Sequence, residues 1–220
     1  MANIKKGLKL YNLNVDCYTD DILGLYNKGL YDYIELYVVP NNGDLIGYWE
    51  QIKKDKNIPF IIHHAHSSNG FNLALKECEK QNLDIYKQTL VYADKLDVDT
   101  IIFHSGMNGD IKESARQLKA FGESRAVVEN KPYKPVSGEA WEYCVGCSVD
   151  DMKFILNECG CGFCLDFGHA ICAANTFKIE PYSFIESFLD LEPKMYHLTD
   201  VYDMSSEIDA HPHLGDGVMI

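Results

Sequence analysis

In the stretch Gly162-Phe163-Cys164-Leu165-Asp166-Phe167-Gly168-His169-Ala170, a carboxylate and an imidazole stand three residues apart with a glycine between them. Asp166 closes an apolar run that reads as a buried strand, and His169 lies in the turn that leads to a small-residue helix start. Placed in this way the two groups can point into one cavity and share a zinc or manganese ion. The competing reading is a helix-capping Asp beside an incidental surface His. The other histidines favour a metal. All eight fall at or just beyond the end of an apolar run: His63, His64 and His66, then His104, His169 and His197, with His211 and His213 in the last loop. Glu129 and Asp166 end further runs, and Asp209 precedes His211 by two residues.

The elements that must position these groups alternate regularly. Strands are predicted at Gly7 to Tyr11, Tyr33 to Val38, Ile58 to His64, Thr100 to His104, Ala126 to Glu129, Phe163 to Asp166 and Lys194 to Leu198. Helices are predicted at Thr19 to Asn27, Asp44 to Lys54, Asn72 to Leu96, Ile111 to Phe121, Ser148 to Glu158 and Pro181 to Leu191. A Pro- and Gly-containing loop spans Lys131 to Gly146. Such alternation implies a parallel sheet, open or closed. Seven strands without a Gly-rich nucleotide fingerprint favour an α/β fold of the TIM (β/α) barrel type, as one domain over residues 1–220. In a barrel the C-terminal strand ends converge on one mouth, which turns the scattered His, Glu and Asp into one site.

The chain has 220 residues, 46% hydrophobic and 24% charged, which suits a globular protein with a sizeable core. No apolar run is long enough for a membrane span and no signal-peptide core follows Met1, so a cytoplasmic location is expected. Net charge is −13, and Arg116 and Arg125 are the only arginines. That lowers the weight of nucleic acid as a partner, because backbone-tracking proteins rely on clustered Lys and Arg. Of the eight cysteines, Cys144, Cys147, Cys159, Cys161 and Cys164 cluster. Four thiolates would suit zinc or an iron–sulfur group. However, the capping box Ser148-Val-Asp-Asp151 separates the two halves, and ordinary thiols are the alternative. Cys164 shares strand parity with Asp166 and is expected to face the barrel interior.

The chain resembles the xylose-isomerase-like barrel superfamily, which contains endonuclease IV (apurinic/apyrimidinic endonuclease family 2) and sugar isomerases and epimerases. The likeness rests on Ile62-His-His-Ala-His66, Phe103-His-Ser-Gly106, Val127-Val-Glu-Asn130, Leu165-Asp-Phe-Gly-His-Ala170, His197-Leu-Thr-Asp200 and Asp209-Ala-His-Pro-His-Leu-Gly-Asp-Gly217, in order along nearly the whole chain. It implies up to three divalent ions, with zinc favoured and manganese or iron as alternatives. The first would be held by His64, His104 and Glu129, with His66 competing with His64. Glu129 would bridge to a second ion bound also by Asp166 and His197, and the third would take His169, Asp209 and His211. On this pattern Asp166 and His169 serve different ions. The resemblance also implies a further glutamate on an eighth strand, which the given chain lacks. A longer native chain, and poor activity of the 220-residue product, are therefore expected. An open edge between strands seven and one would invite a second copy to pair there.

Three clustered metals suit in-line displacement at phosphorus. Against that, Tyr33-Ile-Glu35-Leu is similar to the corresponding strand of sugar isomerases, and DNA-gripping arginines are missing. The expectation is a metal-dependent isomerase or epimerase acting on a small sugar or sugar phosphate, with Glu129 as base and ligand, the missing glutamate as its partner, and Asp166 and His197 as further catalytic residues. An endonuclease IV-like hydrolase of abasic DNA is the alternative, and a binding protein without turnover is a third reading. Glu35 is a candidate substrate contact or a structural residue at the mouth. Lys131 could meet a substrate phosphate or be a solvated loop residue. Asp200 could support His197 or cap a turn.

Overall fold

The computed structural model describes residues 4–17, 19–136, 142–213 and 215–218; part of the predicted loop at 137–141 lies outside them. Seven strands form one sheet in the order of the sequence: β1 (Gly7–Tyr11), β2 (Tyr33–Tyr37), β3 (Phe60–His63), β4 (Ile101–His104), β5 (Ala126–Glu129), β6 (Gly162–Asp166) and β7 (Met195–His197). Every neighbouring pair is parallel. The crossovers carry α1 (Thr19–Asn27), α2 (Ile46–Lys56), α3 (Glu79–Lys95), α4 (Ile111–Phe121), α5 (Val149–Cys159), α6 (Phe167–Phe177) and α7 (Pro181–Leu189). β1 and β7 are the edges of the sheet. The sheet curls enough to bring Glu35 of β2 within 2.9 Å of His197 of β7. The architecture is a TIM (β/α) barrel with seven strands among the described residues.

Local chemistry sets the helix ends. Asp110 accepts from the Lys112 N–H and Ser148 from the Asp151 N–H, so the predicted capping box forms. Gly122 and Gly160 close α4 and α5 in the left-handed region. α3 starts at Glu79, later than the predicted Asn72. Asn72 is held instead as a loop anchor: its N–H donates to Asn82 Oδ1 and its amide to the Met107 carbonyl.

Strand parity divides the side chains. One face of the strands packs Ile34, Leu36, Ile62, Phe103, Val128, Phe163 and Leu165 against the helices, where Trp49, Tyr86, Leu118, Met152 and Phe188 meet them. Each such buried side chain contributes about 1.5–3 kcal/mol. The interior face carries a small apolar plug of Ile102, Val127 and Cys164, joined by Ile61 and Met195. Two residues further along each of β3 to β7, on the same face, come His63, His104, Glu129, Asp166 and His197. The plug therefore forms the floor beneath the polar mouth.

Candidate metal centre

Glu129 is the hub. Its Oε2 lies 3.0 Å from His104 Nε2, 3.2 Å from His63 Nε2 and 3.3 Å from His197 Nδ1, and its Oε1 lies 3.1 Å from His169 Nδ1. The β3 contribution corrects the sequence expectation, because His63 and not His64 faces the mouth. His63 shares parity with the interior Ile61, whereas His64 shares it with Ile62 of the helix-facing core. The His64 ring packs at 4.0 Å from Phe71 and 4.8 Å from Phe103, and its Nδ1 meets the Ala65 carbonyl. Counting parity along β3, as for Cys164 and Asp166, was the signal that could have found it. His66 stands at the rim, its ring stacked 5.3 Å from that of His104 and its Nδ1 held by Ser68.

Asp166 serves as the helix cap that the sequence offered and also faces the mouth. It caps α6, accepting from the His169 N–H at 2.8 Å, while its Oδ2 lies 3.9 Å from His197 Nδ1. His169 therefore sits in the first turn of a helix. Its Nδ1 donates to the Asn130 carbonyl at 2.8 Å, and its Nε2 faces Asp209 Oδ2 at 3.1 Å. His211 Nε2 lies 2.5 Å from the same oxygen, and His211 adopts a left-handed φ of 47°, a conformation that non-glycine residues seldom hold. Asn130 joins β5 to β6, donating to the Asp166 carbonyl and accepting from its N–H. Gly168 allows the close approach: a Cβ there would lie 2.4 Å from Thr199 Oγ1 and 3.5 Å from Asp209 Oδ1.

Two further acids are placed by the structure. Asp200 is buried and clamps the last loop, accepting from the N–H groups of Val201, Gly215 and Gly217; it acts as a turn anchor. Glu35 lies at 4% exposure between His197 Nε2 at 2.9 Å and Lys9 Nζ at 3.2 Å. The sequence reading missed Lys9, which the register of β1 with β2 sets directly beside Glu35. Lys131 is half-buried at the mouth, near enough for its charge to act on His104, His66 and His169.

Electrostatics separates the histidines. Burial holds His63 and His104 below the usual imidazole range, with Lys9 and Lys131 adding to the effect, so both rings are neutral and carry a free lone pair. Burial opposes charge on His169 too, but Asp166, Asp209 and Glu129 raise it to about 9. Glu129 is ionised against its burial by His197 and His104. The donors fit a divalent ion. His63–His104–Glu129, Glu129–Asp166–His169 and His169–Asp209–His211 each bring their ligand atoms within 4.8 Å of one another, as do Glu129–Cys164–His197 and Glu35–His63–His197. Neutral imidazole and ionised carboxylate are the ligand chemistry of zinc and manganese.

The cysteines do not assemble into a centre of their own among the described residues, where no three of these thiols lie within common ligand reach. Cys144 and Cys147 are buried beside the loop after β5, and burial pushes Cys147 up to about 12. Cys159 and Cys161 flank Gly160 at the opposite end of the barrel, between α5 and β6. Cys164 faces the interior as expected, close to His197.

A family model described as xylose isomerase-like TIM barrel matches residues 29–220. A probable endonuclease 4 of Thermoplasma volcanium is 25% identical over 171 residues, which is 72% of this chain and 56% of that protein. The chain thus spans little more than half the length of that relative. Among solved structures, endonuclease IV of Thermus thermophilus is similar with a TM-score of 0.68 at 18% identity, over 97% of this chain and 83% of the other. A D-tagatose 3-epimerase-like protein gives 0.69 at 17%, over 96% and 81%. The TTHB071 protein, also of Thermus thermophilus and soaked with ZnCl2, gives 0.66 at 19%, over 98% and 84%. At these identities the three structures share the fold.

Proposed function

Since this chain belongs to the xylose isomerase-like TIM barrel family, we propose that it is a divalent-metal-dependent enzyme whose barrel mouth hydrolyses a phosphoester. The observation that carries this reading is the His169–Asp209–His211 cluster, joined through His169 to Glu129 and from there to His63 and His104. Ions held by these clusters would supply charge stabilisation to the attacking and leaving oxygens of an in-line displacement. His63 and His104 contribute neutral nitrogens, Glu129 links the clusters through its two oxygens, and Asp166 presents a carboxylate held in place by the first turn of α6. Lys131 offers a cation at the rim for a phosphate oxygen.

The expected isomerase chemistry pairs Glu129 with a second carboxylate, which the family resemblance puts on an eighth strand, to move a proton at carbon. Glu35, the other buried glutamate near the mouth, is engaged with Lys9 and His197. A sugar isomerase or epimerase remains the second reading, supported by the arginines. Arg116 pairs with Glu113 and Glu79, and Arg125 with Glu123 and Asp94, so neither is free to grip a nucleic acid backbone. The test is incubation of the chain, stripped by a chelator and reloaded with zinc or manganese, with an abasic-site duplex and with ketohexoses. Metal-dependent nicking is the expected result. Sugar interconversion without phosphoester cleavage would overturn the hydrolase reading in favour of the second.

A further inference from the structure

His197 is the ligand whose two nitrogens face different partners. Nδ1 lies 3.3 Å from Glu129 Oε2 and 3.9 Å from Asp166 Oδ2, on the side of the proposed second ion. Nε2 lies 2.9 Å from Glu35 Oε2 on the other side. Glu35 is 4% exposed, one layer below the mouth in register with Ile61 and Lys9, and its remaining oxygen is 3.2 Å from the Lys9 ammonium. With both oxygens engaged and little surface, it has no free face for a substrate.

We propose that Glu35 and Lys9 are positioning residues for the metal centre: Lys9 holds the Glu35 carboxylate, which keeps the His197 proton on Nε2 and the Nδ1 lone pair aimed at Glu129 and Asp166. An ionised carboxylate can only accept hydrogen bonds, so once an ion takes the Nδ1 lone pair on the Glu129 and Asp166 side, the ring's remaining hydrogen is the one on Nε2 that faces Glu35. Metal-ligating histidines commonly donate their other ring N–H to such a group, and removing it typically weakens metal binding about 10–100-fold. Lys9 adds directionality. Its ammonium has only donors, so it claims whichever atom at position 35 can accept. This inference rests on the reading of the mouth as a metal centre.

The Glu35→Gln variant is isosteric and tests the arrangement through that directionality. Lys9 would take the amide oxygen, leaving the NH2 against His197 Nε2. Two donors cannot face each other, so the ring proton would move to Nδ1, the atom needed for the ion. Zinc affinity, measured by chelator competition on the full chain, is expected to fall about 10–100-fold at one site. In the Lys9→Met/Glu35→Gln double variant the amide can turn its oxygen to His197, and most of the affinity is expected to return. Ring-15N spectra of the zinc-loaded wild type, assigned with a His197→Gln control, should show zinc on Nδ1 and hydrogen on Nε2 of His197. A folded Glu35→Gln protein with wild-type zinc affinity would overturn the inference, as would zinc on Nε2, which would make Glu35 a ligand beside His63. Failure of the double variant to recover affinity would remove Lys9 from it. A wild-type chain that takes up no divalent ion would overturn the proposed function as well, which separates the two failures.

Discussion

His63 and His64 share a side chain and a backbone neighbourhood, yet one lies in the polar mouth and the other in an aromatic pocket of Phe71, Phe103 and Tyr86. Burial takes His64 down to about 3, and its Nε2 has no hydrogen-bond partner. His64→Leu should therefore leave zinc stoichiometry unchanged and cost little stability, since it removes an unsatisfied buried nitrogen. His63→Ala should lose an ion. Metal analysis of the two purified variants checks the pair, and the reverse pattern would return the ligand role to His64. Gly168→Ala belongs to the same scale. Its Cβ would meet Thr199 Oγ1 at 2.4 Å, so a loss of about 1–3 kcal/mol and weaker metal retention are expected from denaturation and chelator challenge.

At the scale of elements, the N-terminus of α6 and the segment after β7 are tied into one unit. Asp166 caps the helix, while Asp200 gathers the amides of Val201, Gly215 and Gly217 and so shapes the loop that carries Asp209 and His211. Asp200→Ala would leave those donors without their acceptor, at a cost of about 1–3 kcal/mol. Faster hydrogen exchange at the three amides is expected, with exchange in β4 unchanged. Uniform acceleration would show instead that Asp200 supports the whole barrel. Elements carried by periodicity and caps, such as α4 and α5, were legible within a residue or two. The start of α3 was not, because Asn72 answers to Asn82 and Met107, ten and thirty-five residues away.

For the whole molecule, acid stability tests the network that joins α3 to β5. Hydrogen bonds from Arg125 hold Glu123 down to about 2, against the burial that opposes its charge, and the Tyr86 hydroxyl donates to it as well. Because the folded value lies below the ordinary 4.5, this stabilisation is present above pH 4.5 and is lost as pH falls toward 2. Glu123→Gln should lower stability at pH 7 by about 1–2 kcal/mol and flatten the decline over that acid window. Denaturant melts at a series of pH values would show it, and an unchanged slope would assign acid sensitivity to other carboxylates. The thiols give a further check at this scale. Cys159→Ser/Cys161→Ser lies at the end of the barrel away from the mouth and should leave metal content unchanged, and a loss of zinc there would restore the thiolate-centre reading.

The sequence by itself determined the alternation of strands and helices, the single mouth and most of its donors, since periodicity, caps and strand-end position are local properties. The convergence of His104, Glu129, Asp166, His169, His197, Asp209 and His211 was legible for that reason. Tertiary structure decided what depends on facing and on partners distant in the chain. It chose His63 over His64 by the orientation of β3, dispersed the cysteines to the two ends of the barrel, and set Glu35 between Lys9 and a histidine 162 residues further along. Asp166 and His169, which the family resemblance assigned to different ions, lie close enough to share one with Glu129, while His169 also reaches Asp209 and His211. The helix that Asp166 caps turns His169 Nε2 toward Asp209, and the folded position of Asn130 engages Nδ1.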